Sequence, residues 1–190
     1  FFFKQKTAYE IVDCDWSSDV CSSDLVAIAI ALLNKPDVII ADEPTTALDV
    51  TIQGQILAEI QKICRQTATA VIWITHDLSV VSSLADHISV MYAGKIVEQG
   101  PSAQVLGQPA HPYTRGLIRS VPAFNPPHQA LYQIPGMAPA LSQLPTGCAF
   151  VSRCERASAQ CAQAPQATPV DTDHVIRCFH PCREPLELTS

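Results

Sequence analysis

Apolar positions along the chain alternate between strand-like and helix-like stretches for about the first hundred residues and then lose their regularity. Val38-Ile39-Ile40-Ala41 is an apolar run with no polar interruption, the pattern of a strand buried on both faces of a parallel sheet. Asp42 and Glu43 end it in two carboxylates, and Pro44 stops it. Ile52, Ile56, Ile60 and Ile63, with Leu57 and Cys64, recur at threes and fours, predicting a helix from an Asp49 N-cap to about Gln66 with Cys64 in its core face. Thr69–Thr75 is a second two-sided strand, which ends in His76-Asp77; Asp77 is placed to cap a short helix over Leu78–Leu84. Asp86–Tyr92 and Lys95–Gln99 alternate about Gly94 as a hairpin, with His87 at its surface or edge. Upstream, Val26–Leu33 is apolar on every side, as a buried helix is, and Asn34-Lys35-Pro36-Asp37 closes it.

Composition changes this picture in three places. The chain has 190 residues, 47% hydrophobic and 16% charged, enough for one domain or one and a half and too apolar for global disorder. A net charge of −6 does not suit a nucleic-acid groove, and no apolar run reaches the roughly 20 residues of a membrane span. No secretory signal is visible, so the eight cysteines read first as thiols of a reducing compartment. Thirteen of the fifteen prolines follow position 100, marking a second, loop-rich region. Residues 1–25 stand apart: Asp15–Leu25 back-translates into what looks like a short-read library adapter, and Lys4–Glu10 into its outer end. We expect this stretch to be a translated artefact outside the fold. Without it the balance is ten basic against thirteen acidic side chains, and Cys14 and Cys21 drop from consideration.

Chemistry gathers where the Val38–Ala41 run ends. Open α/β sheets bind ligands outside the carboxyl ends of their strands. A carboxylate there can hold Mg²⁺ through its water shell, because that ion dehydrates reluctantly. A neighbouring carboxylate can take a proton from an attacking water. The extension Pro44-Thr45-Thr46-Ala47-Leu48-Asp49 makes the stretch specific, and with it the sequence resembles the nucleotide-binding subunit of ABC transporters. The resemblance implies that Asp42 is the Walker B aspartate and Glu43 the catalytic glutamate. It makes Ala47-Leu48-Asp49 the D-loop, with Asp49 communicating across a subunit interface, and His76 the switch histidine at the γ-phosphate of ATP. The implied fold is α/β, a P-loop NTPase-like ABC nucleotide-binding domain present as its C-terminal half over 26–100. A small, loop-rich, cysteine-containing domain follows over 101–190. A P-loop needs Gly-x-x-x-x-Gly-Lys-Ser/Thr, yet the first glycine here is Gly54, and the family's signature motif would stand just ahead of Val26. The expectation is a truncated piece of an ATP-hydrolysing protein, inactive by itself.

Ala110–Pro122, reading AHPYTRGLIRSVP, resembles a segment of the ATPase subunits of dipeptide, oligopeptide and nickel importers. By pattern it is a short surface helix, with Tyr113, Leu117 and Ile118 on one side and Arg115 and Arg119 on the other. Beyond the Pro126-Pro127 and Pro135-Gly136 punctuation come Cys148, Cys154, Cys161 and Cys178, with Cys182 close by. Soft thiolates in a reducing compartment favour a metal over disulfides, and the lack of a Cys-x-x-Cys pair weighs against a zinc ribbon. Peptide-importer ATPases end in a matching cysteine region, and in some members the four thiolates hold a [4Fe–4S] cluster. Zinc is the alternative, with Cys182 able to replace Cys178 and His174 or His180 able to substitute.

The resemblance further implies ATP and Mg²⁺ as cofactors, a second ABC ATPase subunit and transmembrane permease subunits as partners, and a solute-binding protein as an indirect one. Nucleic acid is not expected, and the place implied is the cytoplasmic side of the membrane. An alternative of another class is a soluble ABC-type ATPase of DNA repair or chromosome maintenance, which shares the Asp-Glu strand end and at times carries cysteine metal sites.

Overall fold

The computed structural model describes residues 30–31, 33, 35–44, 50–125, 130–184 and 186. The 1–25 stretch, Asp49 and the rest of the D-loop lie outside these residues. Of the Val26–Leu33 helix, residues 30, 31 and 33 are described as helical, but they are exposed rather than buried, Ile30 at 58% and Leu33 at 77%. The chain is mixed α/β and divides into two compact units, residues 2–86 and 87–190.

In the first unit, β1 (Val38–Asp42) and β2 (Ala70–Ile74) pair in parallel from Val38↔Ala70 to Asp42↔Ile74, joined through α1 (Val50–Thr67). That crossover is what parallel neighbours require. Ile56, Leu57 and Cys64 of α1 are buried as the apolar periodicity predicts, and Val71 and Trp73 of β2 are buried with them. The helix after β2, α2 (Leu78–Leu84), has the predicted bounds, and the Asp77 carboxylate caps it by accepting from the Ser79 amide at 2.8 Å. β1 departs from expectation. Its unbroken apolar run predicts burial on both faces, yet Val38 is 50% and Ile40 67% exposed. Its sheet is two-stranded, so among the described residues β1 has one strand neighbour.

The second unit is built on a four-stranded antiparallel sheet, ordered β3-β4-β6-β5. β3 (His87–Tyr92) and β4 (Lys95–Pro101) form the predicted hairpin, turning through Ala93 and Gly94 at φ 48° and 76°. Positive φ at both central residues is the two-residue turn whose twist matches its strands. The remaining strands are β5 (Thr168–Asp171) and β6 (His174–Ile176), short and near the end of the chain. Two helices, α3 (Ser102–Gly107) and α4 (Pro112–Ser120), follow the hairpin, and short 3₁₀ turns carry the cysteine-bearing stretch. Gly116 of α4 is where the proline-rich segment crosses closely, since a Cβ there would press on Ile134 at 2.9 Å. Arg153 fastens the same segment by donating to the carbonyls of Pro135 and Ile134.

Candidate functional site

Parallel pairing brings the ends of β1 and β2 to one edge of the sheet, so residues far apart in sequence meet there. Asp42 is the last residue of β1 and is exposed. Glu43 continues the ladder, its amide donating to the Ile74 carbonyl at 2.9 Å. It does so at φ 46°, a left-handed conformation that costs a non-glycine residue about 1–2 kcal/mol. His76 follows β2 by two residues, and its Nδ1 lies 2.8 Å from Glu43 Oε1. The structure thus brings together Glu43 and His76, with Asp42 adjacent in the chain. The imidazole is 74% exposed and the carboxylate 47%, so the pair faces solvent and is open to a ligand.

In the second unit the predicted ligand cysteines are Cys148, Cys154, Cys161 and Cys178, and all are free thiols, as is Cys182. Burial raises the pKa of Cys148, the Phe150 backbone opposes it, and the Cys161 thiol adds to the rise. Burial raises Cys154, with the thiols of Cys148, Cys161 and Cys182 contributing. Burial pushes Cys178 to about 11, the His180 amide pulls it back, and Cys154, Cys148 and Cys182 push further. Among the described residues no three His, Cys, Asp or Glu side chains are grouped to hold a metal ion. His174 turns its Nε2 to Glu98 Oε1 at 2.7 Å, and His180 Nε2 meets Ser158 Oγ at 2.6 Å, so each of the two alternative zinc ligands has that nitrogen engaged.

The pattern of residues did not reveal the buried polar centre of this unit. Glu98 is fully buried, and its Oε1 accepts from the Ala110 amide at 2.7 Å while its Oε2 accepts from the His111 amide at 2.9 Å. With His174 as third partner, one carboxylate joins β4, β6 and the start of α4. His111 is buried too and serves as the N-cap of α4, its Nδ1 accepting from the Tyr113 amide at 3.0 Å, with Pro112 in the first helical turn. Tyr113 packs on Tyr92 and Phe150, with ring centroids 4.6 and 5.4 Å apart. The motif helix thus packs Thr114, Gly116 and Ile118 into its unit while Arg119 stays exposed, as a surface helix does. Arg119 stacks over Tyr132 at 4.3 Å, and Arg115 donates to the Glu184 carbonyl.

Burial holds His111 neutral, lowering its pKa to about 4 against the opposing charge of Glu98. As pH falls, the unfolded chain takes up the proton first, near 6.5. The stability held by the neutral ring is thus complete above that value and drains away as pH drops toward about 4, a loss of about 3 kcal/mol. Urea melts of this unit between pH 7 and 4 should show that slope. His111→Asn, which keeps a cap acceptor without titrating, should flatten it.

Residues 97–161 match the family described as oligopeptide/dipeptide transporter, C-terminal region. The chain is 48% identical over 160 residues to the probable D,D-dipeptide transport ATP-binding protein DdpD of Escherichia coli (strain K12), covering 84% of this chain and 49% of that protein. It is 45% identical over 154 residues to the oligopeptide transport ATP-binding protein OppD of Haemophilus influenzae, covering 81% and 48%. OppD of E. coli is 45% identical over 159 residues, with 84% and 47% covered. In sequence the chain is thus similar to ATP-binding proteins of oligopeptide and dipeptide transport. It spans about half the length of the curated relatives it matches. These relatives, named for peptide transport, give the DNA-repair alternative no support. Among the described residues no helix is long and apolar enough to cross a membrane.

Proposed function

We propose that the chain is the C-terminal portion, with 26–100 from the ABC nucleotide-binding domain and 101–190 from its cysteine-bearing extension, of an ATP-hydrolysing subunit that drives peptide import. The observation that carries this is the 2.8 Å contact between Glu43 and His76 at the common end of two parallel strands. Glu43 acts as general base on the attacking water, and His76 senses the γ-phosphate. Asp42, a hard oxygen donor beside them, suits Mg²⁺ held through its water shell, and Asp49 relays the state of the site to a second ATPase subunit. Bound Mg²⁺ would supply neutralising charge to the phosphates. The hydrogen-bond inventory of the ring adds a constraint. An ionised Glu43 only accepts, so Nδ1 donates to it, and a neutral ring then has only an acceptor at Nε2. Meeting a phosphate oxygen requires a second proton on the imidazole or release of Glu43. Partners in this reading are the second ATPase subunit, membrane permease subunits and, indirectly, a solute-binding protein, with the subunit seated peripherally on the cytoplasmic face.

The complete gene product, assembled with its permease, should hydrolyse ATP faster when peptide-loaded binding protein is added, and the 190-residue chain should show no saturable Mg²⁺-dependent hydrolysis. Insensitivity of the assembled protein to peptide would remove the transport assignment.

For the sulfurs, the reading that suits them is a [4Fe–4S] cluster on Cys148, Cys154, Cys161 and Cys178, with zinc the alternative. Each iron takes one thiolate, so cluster ligands stand further apart than ligands of a single ion. Metal analysis of anaerobically prepared protein should return about four irons per chain with sulfide. About one zinc per chain would favour the alternative.

A further inference from the structure

A groove of about 530 Å³ opens in the second unit between the tip of the β3–β4 hairpin, the loop at Cys148 and the loop at Pro165. Its size is that of a small-ligand site. Met91, Tyr92, Ile96 and Phe150 supply apolar walls, and Lys95 and Arg177 supply two cations. Among the described residues neither cation makes an ion pair, whereas Lys62 and Arg156 do. Cations without a carboxylate partner beside an apolar wall suit a ligand that carries both features, an apolar body and an anionic end.

The backbone narrows the choice. β4 pairs with β6 at Glu98 and Gln99, and the Arg177 amide reaches the Val97 carbonyl, but Lys95 and Ile96 run on past β6 with β3 on one side only. An extended backbone can lie along such an uncovered edge by strand addition, with side-chain pockets beside it. The wall opposite is firm. A Cβ on Gly147 would overlap the Cys161 carbonyl oxygen and the Ala162 backbone, so the Gly147–Phe150 loop is seated tightly on its neighbour, fixed also by the 2.9 Å bond from the Cys148 amide to Cys161.

We propose that this groove binds a short peptide by its C-terminal end, the free carboxylate meeting Lys95 and Arg177 and an apolar side chain lying against Tyr92 and Phe150. The choice of a peptide over other apolar carboxylates rests on the peptide-import reading, but the site itself does not. The test uses the 190-residue chain and isothermal titration with three probes: the tripeptide Ala-Phe-Leu, its C-terminal amide, and hexanoate. The acid should bind saturably, and the amide should bind roughly tenfold or more weaker, as loss of a charge-assisted contact implies. The double substitution Lys95→Gln with Arg177→Gln should abolish that difference while circular dichroism stays unchanged. Equal binding of acid and amide, or no saturable binding of either, overturns the site. Hexanoate binding as tightly as the tripeptide overturns the peptide assignment. None of these readouts involves ATP hydrolysis, so failure here is separable from failure of the motor reading.

Discussion

Replacing Glu43 with Gln in the complete protein should slow ATP hydrolysis by about 10²–10⁴-fold, the usual loss when a general base is removed. The substitution is sharp because it preserves shape. A Gln side-chain oxygen can still accept from His76 Nδ1, 2.8 Å away, so the strand-end geometry persists while the proton acceptor is gone. Nucleotide affinity, measured by equilibrium binding on the same preparation, should hold within a few-fold. A variant that turned over at the parent rate would take the base away from Glu43. One that lost both binding and turnover would point to a disturbed fold at this left-handed residue.

The second large effect is on stability. Glu98→Ala should destabilise the 87–190 unit by about 3–5 kcal/mol, as breaking a buried charged hydrogen-bond set does. The carboxylate is fully buried and has three donors on it. Its loss leaves the Ala110 and His111 amides and the His174 ring without that partner, in a place water does not reach. Glu98→Gln should fall between, since one of its two positions becomes a donor facing a backbone N–H. Urea unfolding followed by amide exchange across His87–Pro101 would measure both, and a change below about 1 kcal/mol for the Ala variant would show that the centre relaxes around the gap.

The contrast between these two residues explains what could be read from the sequence. Asp42, Glu43 and His76 stand at strand ends, where a change from apolar to ionisable residues is abrupt and the parallel topology dictates convergence. The Asp77 cap and the Ala93-Gly94 turn were legible for the same reason, since local backbone demands are written in adjacent residues. Glu98 was not. Strand alternation puts Glu98 on the face of Ile96, but a lone carboxylate there does not announce that it is buried, and its partners Ala110, His111 and His174 come from other elements. His111 shows in the sequence only as part of a motif, because its burial depends on Phe150 and Glu98 rather than on its neighbours in the chain. β1 misled in the other direction: an unbroken apolar run describes what a strand prefers to have around it, and exposure depends on whether a covering layer is present.

That last feature bears on handling. With Val38 and Ile40 facing water and one flank of β1 without a strand beside it among the described residues, the first unit offers a sticky template for the same segment of another molecule. Concentrated solutions of this chain should drift toward insoluble intermolecular ladders, and a charged residue at position 40 would act as a gatekeeper that keeps the material in solution.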